Sequence, residues 1–240
     1  DLVIMKFFKQ NDEGLLGSLE DIEKLSRMDE ASILVLSDSH KNPENIERIL
    51  NSFGQTCDAL VFCGDGAYDL ADCLNKEYKR SGNQNKIIPP VAAFVRGNGD
   101  PSHVVVDFDP VPDILLPTKN AHTQNINYHL RFPDVTVLEA AGKRILISHG
   151  HLQSIDYNES VFQFSAKENN CSVILHGHTH IATQKYLNDG THLICPGSVS
   201  LPRGGQEKSF CILTIKGNYV SGAFMEITPS GFRSYTPPSW

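Results

Sequence analysis

The sequence predicts an α/β fold, and three observations carry that reading. Short apolar runs alternate with helical stretches over the first hundred residues. The second half holds strand-length apolar runs with little helix between them. The early strands each run into a cluster of Gly, Asp, Asn, Ser or His. Alternation of strand, turn and helix is the pattern of βαβ units with parallel pairing.

The elements follow in chain order. Leu15-Leu16, Leu19, Ile22, Leu25 and Met28 recur at helical spacing, with Ser18 as a cap and Asp21 at the fourth place. Residues 1–30 are therefore read as a helical extension, packed on the core or on a partner, ahead of a main domain at 31–228. A strand at 32–37 leads to a helix at 43–53, opened by Pro43 in its favoured first turn. A strand at 58–63, a helix at 68–80, a loop at 81–85 and a strand at 91–95 complete the alternation.

Residues 101–134 break it. Pro101, Pro110, Pro112, Pro117 and Pro133 exclude a long helix, and the stretch is too long for a plain connection, so it reads as a functional or interaction insertion. Strands at 135–140 and 144–148 form a hairpin about Ala141-Gly142. A helix is expected over 153–169, with Ile155, Val161, Phe162 and Phe164 as apolar contacts. Strands follow at 172–175, 183–187, 192–195, 210–215 and 220–227, turning at Asn188-Asp189-Gly190 and Lys216-Gly217-Asn218. Residues 229–240, Pro-rich at the end, read as a tail.

Composition bounds the function. The chain has 240 residues, one large domain with additions at roughly 150 residues per domain. Charged residues at 20% and hydrophobic ones at 40% exclude a chain disordered throughout. Apolar runs such as Ile33-Leu34-Val35-Leu36 fall far short of the ~20 residues that span a bilayer, and no secretory leader pattern opens the sequence. A net charge of −7 argues against a nucleic-acid binder that works by bulk charge, although bound metal supplies local positive charge that such a count omits. The six cysteines form no Cys-x-x-Cys pair, which suits buried thiols in a reducing cytoplasm. Of the ten histidines, five fall between His149 and His180.

The chemistry sits where strands end. The clusters are Ser37-Asp38-Ser39-His40, Gly64-Asp65, Gly97-Asn98-Gly99-Asp100, Ser148-His149-Gly150-His151 and His176-Gly177-His178-Thr179-His180. In open α/β sheets, ligands bind beyond the carboxyl ends of the strands. Asp38 and His40, two apart, project to one side of an extended backbone, and His178 and His180 repeat that spacing. Asp65, Asn98 and His149 each add one donor, and the adjacent glycines allow close approach. A lone Asp-x-His or Gly-Asp is usually a turn. Together these residues provide seven oxygen and nitrogen ligands, enough for two metals sharing a carboxylate. His176, on the strand itself, reads as a buried residue.

In this order the motifs resemble the calcineurin-like metallophosphoesterase superfamily. Arg96-Gly97-Asn98-x-Asp100, Ser148-His149-Gly150-His151 and the run from Pro196 through Gly197-Ser198-Val199-Ser200 to Arg203 resemble its small bacterial and archaeal phosphodiesterase branch. The resemblance spans about 32–227; the first 30 residues and the 101–134 insertion depart from it. It implies a four-layer αββα sandwich of two mixed sheets flanked by helices. Carried onto this chain, it places one metal on Asp38, His40, Asp65 and His180, and a second on Asp65, Asn98, His149 and His178, with Asp65 bridging. Such ligands suit Mn, Fe, Zn, Ni or Co, and the family favours Mn. Two divalent ions, two carboxylates and a bridging hydroxide leave a net charge of about +1, which suits an anionic phosphoryl group attacked in line.

Many relatives carry a proton-donating His directly after the Asn; here Gly99 stands there. His151 is the candidate substitute acid, and Asp100 the candidate that fixes the Asn98 loop. Arg96 and Arg203 are candidate phosphate contacts with structural salt bridges as the alternative, and Cys63 and Cys195 are expected to pack rather than ligate. The implied function is hydrolysis of a small or nucleotide-like phosphodiester by a cytoplasmic enzyme, with homo-oligomerisation as a family habit. The alternatives are a phosphomonoesterase or protein phosphatase on the same metals, and a silent scaffold similar to the phosphoesterase-like subunit of retromer.

Overall fold

The computed structural model describes residues 10–80, 87–108 and 126–238. Three parallel strands, β2 (Glu30–Leu36), β3 (Ala59–Phe62) and β4 (Val91–Phe94), are joined by helices α2 (Pro43–Phe53) and α3 (Ala67–Arg80). β1 (Leu15–Leu16) adds antiparallel to the free edge of β4. On the other side the antiparallel strands β12 (Ser209–Lys216), β13 (Tyr219–Thr228) and β14 (Gly231–Tyr235) extend the sheet, in the order β1-β4-β3-β2-β12-β13-β14. The hairpin β7 (Val135–Ala140) and β8 (Lys143–Ser148) belongs to a second sheet with β9 (Val173–Leu175), β10 (Thr183–Tyr186) and β11 (His192–Cys195), in the order β10-β11-β9-β8-β7.

Period-two alternation then builds four layers. Ile33, Val35, Val61, Val91 and Ala93 face Leu138, Ile145, Ile147, Val173 and Ile194 of the other sheet. Leu34, Leu36, Leu60, Phe62 and Phe94 point the opposite way, onto Ile46, Ile49, Leu50, Leu70 and Leu74 of α2 and α3. On the far side Leu146, Ile174 and Leu193 receive Phe162 and Ala166 of α4 (Ser160–Glu168). The strands are nearly continuous apolar runs because both faces of each sheet are covered. This is the αββα sandwich of two mixed sheets.

Several boundaries differ from the sequence reading. Leu15 and Leu16 are strand, not helix; α1 spans Leu19–Arg27. Ser18 caps it, accepting from Asp21 N at 3.0 Å and donating its hydroxyl to Asp21 Oδ2 at 2.6 Å. Leu25 enters the core between the sheets, and the Leu25 carbonyl accepts from Ala141 N. Residues 10–28 thus pack on the core, one of the two options the sequence left open for 1–30; residues 1–9 lie outside the described residues.

The proposed helix over 153–169 begins only at Ser160. Its first part is a run of turns with Ser154 in the left-handed region, because Gly150 and His151 carbonyls capture Gln153, Ile155 and Ser154 N–H groups first. The proposed tail over 229–240 is strand β14 across 231–235, since Phe232 packs on Phe53 and Phe210 and Arg233 pairs with Glu226. From the 101–134 insertion, β5 (His103–Phe108) and β6 (Ile126–Arg131) form an antiparallel pair; residues 109–125, like the loop at 81–85, lie outside the described residues. No helix among the described residues is long and apolar enough to cross a membrane.

If α1 is integral to the core, Leu25→Ala lowers stability by about 2–5 kcal/mol, read as the shift in a urea unfolding midpoint at unchanged slope. A change below about 1 kcal/mol would show that α1 merely rests on the surface.

Candidate metal centre

The carboxyl ends of β2, β3, β4 and β8 and the loop after β9 meet on one side of the sandwich, and their backbones are cross-linked there. Asp38 N donates to the Gly64 carbonyl, His40 N to Asp65, and Gly177 N to His149. The loops turn sharply. Asp38 (φ 58°), His40 (φ 44°), Asp65 (φ 57°), His178 (φ 69°) and His180 (φ 59°) all occupy the left-handed region. The sequence reading placed Asp38–His40 and His178–His180 on extended backbone; the chain instead curls at each of them, so the two members of each pair reach the site around a turn. Each such non-glycine residue costs on the order of 1–3 kcal/mol and persists only where its surroundings enforce it.

Those surroundings are visible. Asp100 holds four backbone N–H groups: Oδ2 accepts from Asp65 (2.7 Å) and Gly97 (2.9 Å), and Oδ1 from Gly66 and Ala67 (2.9 Å each). Its carboxylate is therefore engaged in positioning the loops that carry Asp65 and Asn98. Ser198 Oγ and Ser200 Oγ both donate to the Asp38 carbonyl, at 2.7 and 3.1 Å. A side chain at Gly97 would run into Asp65 Oδ1, and one at Gly177 into Ser37 Oγ, so the loops close to this distance only with glycine at both positions.

Within this frame two sets of donor atoms converge, Asp38 with His40 and His180, and Asp38 with Asp65 and His149, each set within 4.8 Å. Asp65 Oδ2 lies 3.8 Å from His40 Nε2 and 3.6 Å from His149 Nε2, between the two sets. Asn98 and His178 stand beside them: His178 Nδ1 is 3.0 Å from Asn98 Oδ1, and its ring centroid is 5.1 Å from that of His149. His151 sits at the rim, its ring centroid 5.4 Å from His149 and 6.1 Å from His178.

Hydrogen bonds on the outward faces fix which ring nitrogens carry protons. His149 Nδ1–H donates to the Cys63 carbonyl (2.7 Å), and His180 Nδ1–H to the Leu201 carbonyl (2.6 Å). In their neutral forms both therefore turn Nε2 lone pairs inward, onto the Asp38 and Asp65 carboxylates. His149 Nε2 and Asp38 Oδ1 are buried with no hydrogen-bond donor. Acceptors facing acceptors in a buried cluster are unfavourable unless cations lie among them. The donor set fits divalent metals.

Without metal, protons take that role. Burial opposes charge on His149, but Asp65 and Asp38 outweigh it and raise its pKa above the ordinary 6.5; hydrogen bonding to Asp38 raises that of His40. Burial would raise Asp38 and Asp65, yet the surrounding imidazoles hold both below the usual carboxylate range. His176, 2% exposed, is pushed down to about 4 by burial. Burial also raises the Cys195 thiol to about 12 and the Cys63 thiol well above its ordinary value, so both pack as neutral thiols. Arg96 pairs with Asp134 at 2.5 Å, and Arg203 Nη1 donates to the His178 carbonyl at 3.5 Å. No motif marks Asp156, whose Oδ2 accepts from His178 Nε2 at 2.8 Å.

Comparison with known proteins agrees with the fold. The calcineurin-like phosphoesterase superfamily domain matches residues 32–218. The chain is 26% identical over 195 residues to the probable metallophosphoesterase YsnB of Bacillus subtilis (strain 168), covering 81% of this chain and 90% of that protein. A conserved protein of Streptococcus pneumoniae TIGR4, described as a predicted phosphoesterase, superposes with a TM-score of 0.58 at 21% identity, over 87% of this chain and 98% of that one. Vacuolar Protein Sorting 29 from Cryptosporidium parvum does so with a TM-score of 0.57 at 16% identity, over 86% and 96%. The chain belongs to the calcineurin-like phosphoesterase superfamily.

The raised imidazoles give a signed pH dependence. His40 and His149 stabilise the metal-free protein fully below about pH 6.5, and that contribution is lost as pH rises through their folded values. Metal must displace these protons. The melting-temperature gain on adding Mn²⁺ should therefore be larger at pH 8 than at pH 6. A gain that is equal at both, or larger at pH 6, would show that these imidazoles are not ligands.

Proposed function

We propose that this chain is a phosphodiesterase that uses two divalent metal ions, Mn²⁺ first among them, and hydrolyses a small or nucleotide-like phosphodiester. The observation that carries this reading is the acceptor-only cluster of Asp38, Asp65, His149 and His180, with tautomers set by the Cys63 and Leu201 carbonyls. Asp38, His40, Asp65 and His180 would hold one ion, and Asp65, Asn98, His149 and His178 the other. When bound, such a pair supplies the positive charge that lowers the pKa of a water and neutralises phosphoryl oxygens.

The chain's own residues do the rest. Asp65, held by the Gly99 N–H at 2.8 Å and by its own N–H on Asp100, keeps the two halves of the site in register. Gly99 brings no side chain, so a proton for the leaving oxygen must come from elsewhere. His151 is half-buried at the rim, its Nδ1 has no partner, and burial keeps it neutral to lower pH than an ordinary imidazole. In this reading His151 delivers the proton from solvent to the leaving group, and the open position at Gly99 leaves room for the second ester arm. Arg96 is spent on Asp134 and serves the loop rather than phosphate.

Metal-stripped protein should hydrolyse bis-p-nitrophenyl phosphate only after Mn²⁺ is restored, faster than p-nitrophenyl phosphate, and Asp65→Asn should abolish turnover. Faster monoester turnover would favour a phosphomonoesterase. Absence of turnover with every divalent metal would favour the non-catalytic reading that the Vacuolar Protein Sorting 29 neighbour raises. His151→Gln should lower kcat by about 10²–10⁴ for a diester with a basic alcohol leaving group, and far less for nitrophenolate. An equal loss on both substrates would remove His151 from proton delivery.

A further inference from the structure

His178 is held differently from its neighbours. His149 and His180 expose Nε2 to the cluster and tie Nδ1 to backbone carbonyls. His178 is reversed: Nδ1 faces Asn98 Oδ1, and Nε2 faces Asp156 Oδ2 at 2.8 Å. The rings also differ in exposure. The side chains of His149 and His180 are 0% and 4% exposed, that of His178 is 21% and that of Asp156 48%.

We propose that Asp156 is the positioning residue of His178, and that it sets the affinity of the metal at the Asn98–His178 end without altering the other. The inference rests on the two-metal reading above. A carboxylate accepts the Nε2 proton, which commits the lone pair of His178 to Nδ1, aimed inward. A charged acceptor also raises the basicity of the ligating nitrogen, and loss of such a partner typically costs 10–100-fold in metal affinity. Asp38 Oδ2 fixes only the His178 backbone, through its N–H at 3.2 Å, and leaves the ring free to rotate. Arg203 reaches the His178 carbonyl, not Asp156, and the nearby Glu159 is paired with Lys185, so the carboxylate of Asp156 is left to the imidazole.

Asp156 is placed by the turn itself. Ile155, 9% exposed, plugs into the apolar cluster with Phe162, and the Gly150 carbonyl accepts from the N–H groups of Gln153 and Ile155. The side chain one residue on therefore projects from a fixed base. In the neutral ring, with the Nε2 proton committed to Asp156, the Nδ1 lone pair of His178 faces Asn98 Oδ1 3.0 Å away, a pair that a cation would satisfy.

The test is calorimetric titration of metal-stripped protein with Mn²⁺, with the visible spectrum of the Co²⁺ form as a second readout, for wild type, Asp156→Ala and Asp156→Asn. The expected result is two sites in wild type. Asp156→Ala should keep one site unchanged and weaken the other 10–100-fold, with altered Co²⁺ absorption only for the second equivalent. Asp156→Asn, which keeps an acceptor oxygen and loses the charge, should fall between, and the metal-free variants should melt with wild type. Two undiminished sites in Asp156→Ala would overturn the inference and leave the two-metal reading intact. Equal weakening of both sites with a lower metal-free melting temperature would overturn it in favour of a structural role for the turn. A single site in wild type would sink the two-metal reading and this inference with it.

Discussion

Two buried carboxylates and at least two inward imidazole lone pairs facing one another form the constraint on which this structure turns. Gathering acceptors in this way is unfavourable, because Asp38 Oδ1 and His149 Nε2 have lost water and gained no donor among the described residues. The cluster exists because hydrogen bonds on its outer side are made first. Asp100 collects four N–H groups, Ser198 and Ser200 grip the Asp38 carbonyl, and the Cys63 and Leu201 carbonyls take the protons of His149 and His180. The stabilising contacts lie behind the site, and the unsatisfied valences all point into it.

That arrangement explains where the sandwich is strained. Nine non-glycine residues among those described have positive φ, and six of them are Asp38, His40, Lys41, Asp65, His178 and His180. A strand that ends in ordinary geometry sends successive side chains to opposite faces. Here left-handed residues turn each chain end inward, so that loops from both sheets reach one point. The inter-sheet core of Ile33, Val35, Val61, Ile145, Ile147 and Leu175 holds the strands beneath them rigidly enough to tolerate the cost.

The strands and their polar ends were legible because both rest on local signals. Apolar runs of four to six residues, glycine punctuation and the Pro43 helix start are all written within short windows, and the seven metal-ligand candidates sit at strand ends that such windows locate. What stayed hidden depends on long-range partners. Leu15 and Leu16 fit a helical stripe, and only the free edge of β4 makes them strand. Phe232 and Arg233 look like part of a tail until β13 supplies Glu226 and a pairing edge. The stretch before α4 has helical spacing, but the Gly150 carbonyl claims its first N–H groups. Asp156 was invisible for the same reason: nothing around it in sequence marks it, and its partner is His178, 22 positions away.

Exposure then gives the site a direction. Asp38, His149 and His180 form its floor, each almost wholly buried, while His40, Asn98, His151 and His178 stand at its open side. A substrate must come from that side, past the rim that carries exposed Leu152, Tyr157 and Leu201, each one or two residues from, or hydrogen-bonded to, a site residue. The histidines of the floor are held by the backbone carbonyls of Cys63 and Leu201, and His178 at the mouth by the side chain of Asp156. The same division accounts for His178 having a carboxylate as its anchor. A histidine on the open side, lacking such a carbonyl, needs a charged acceptor to hold one orientation against water.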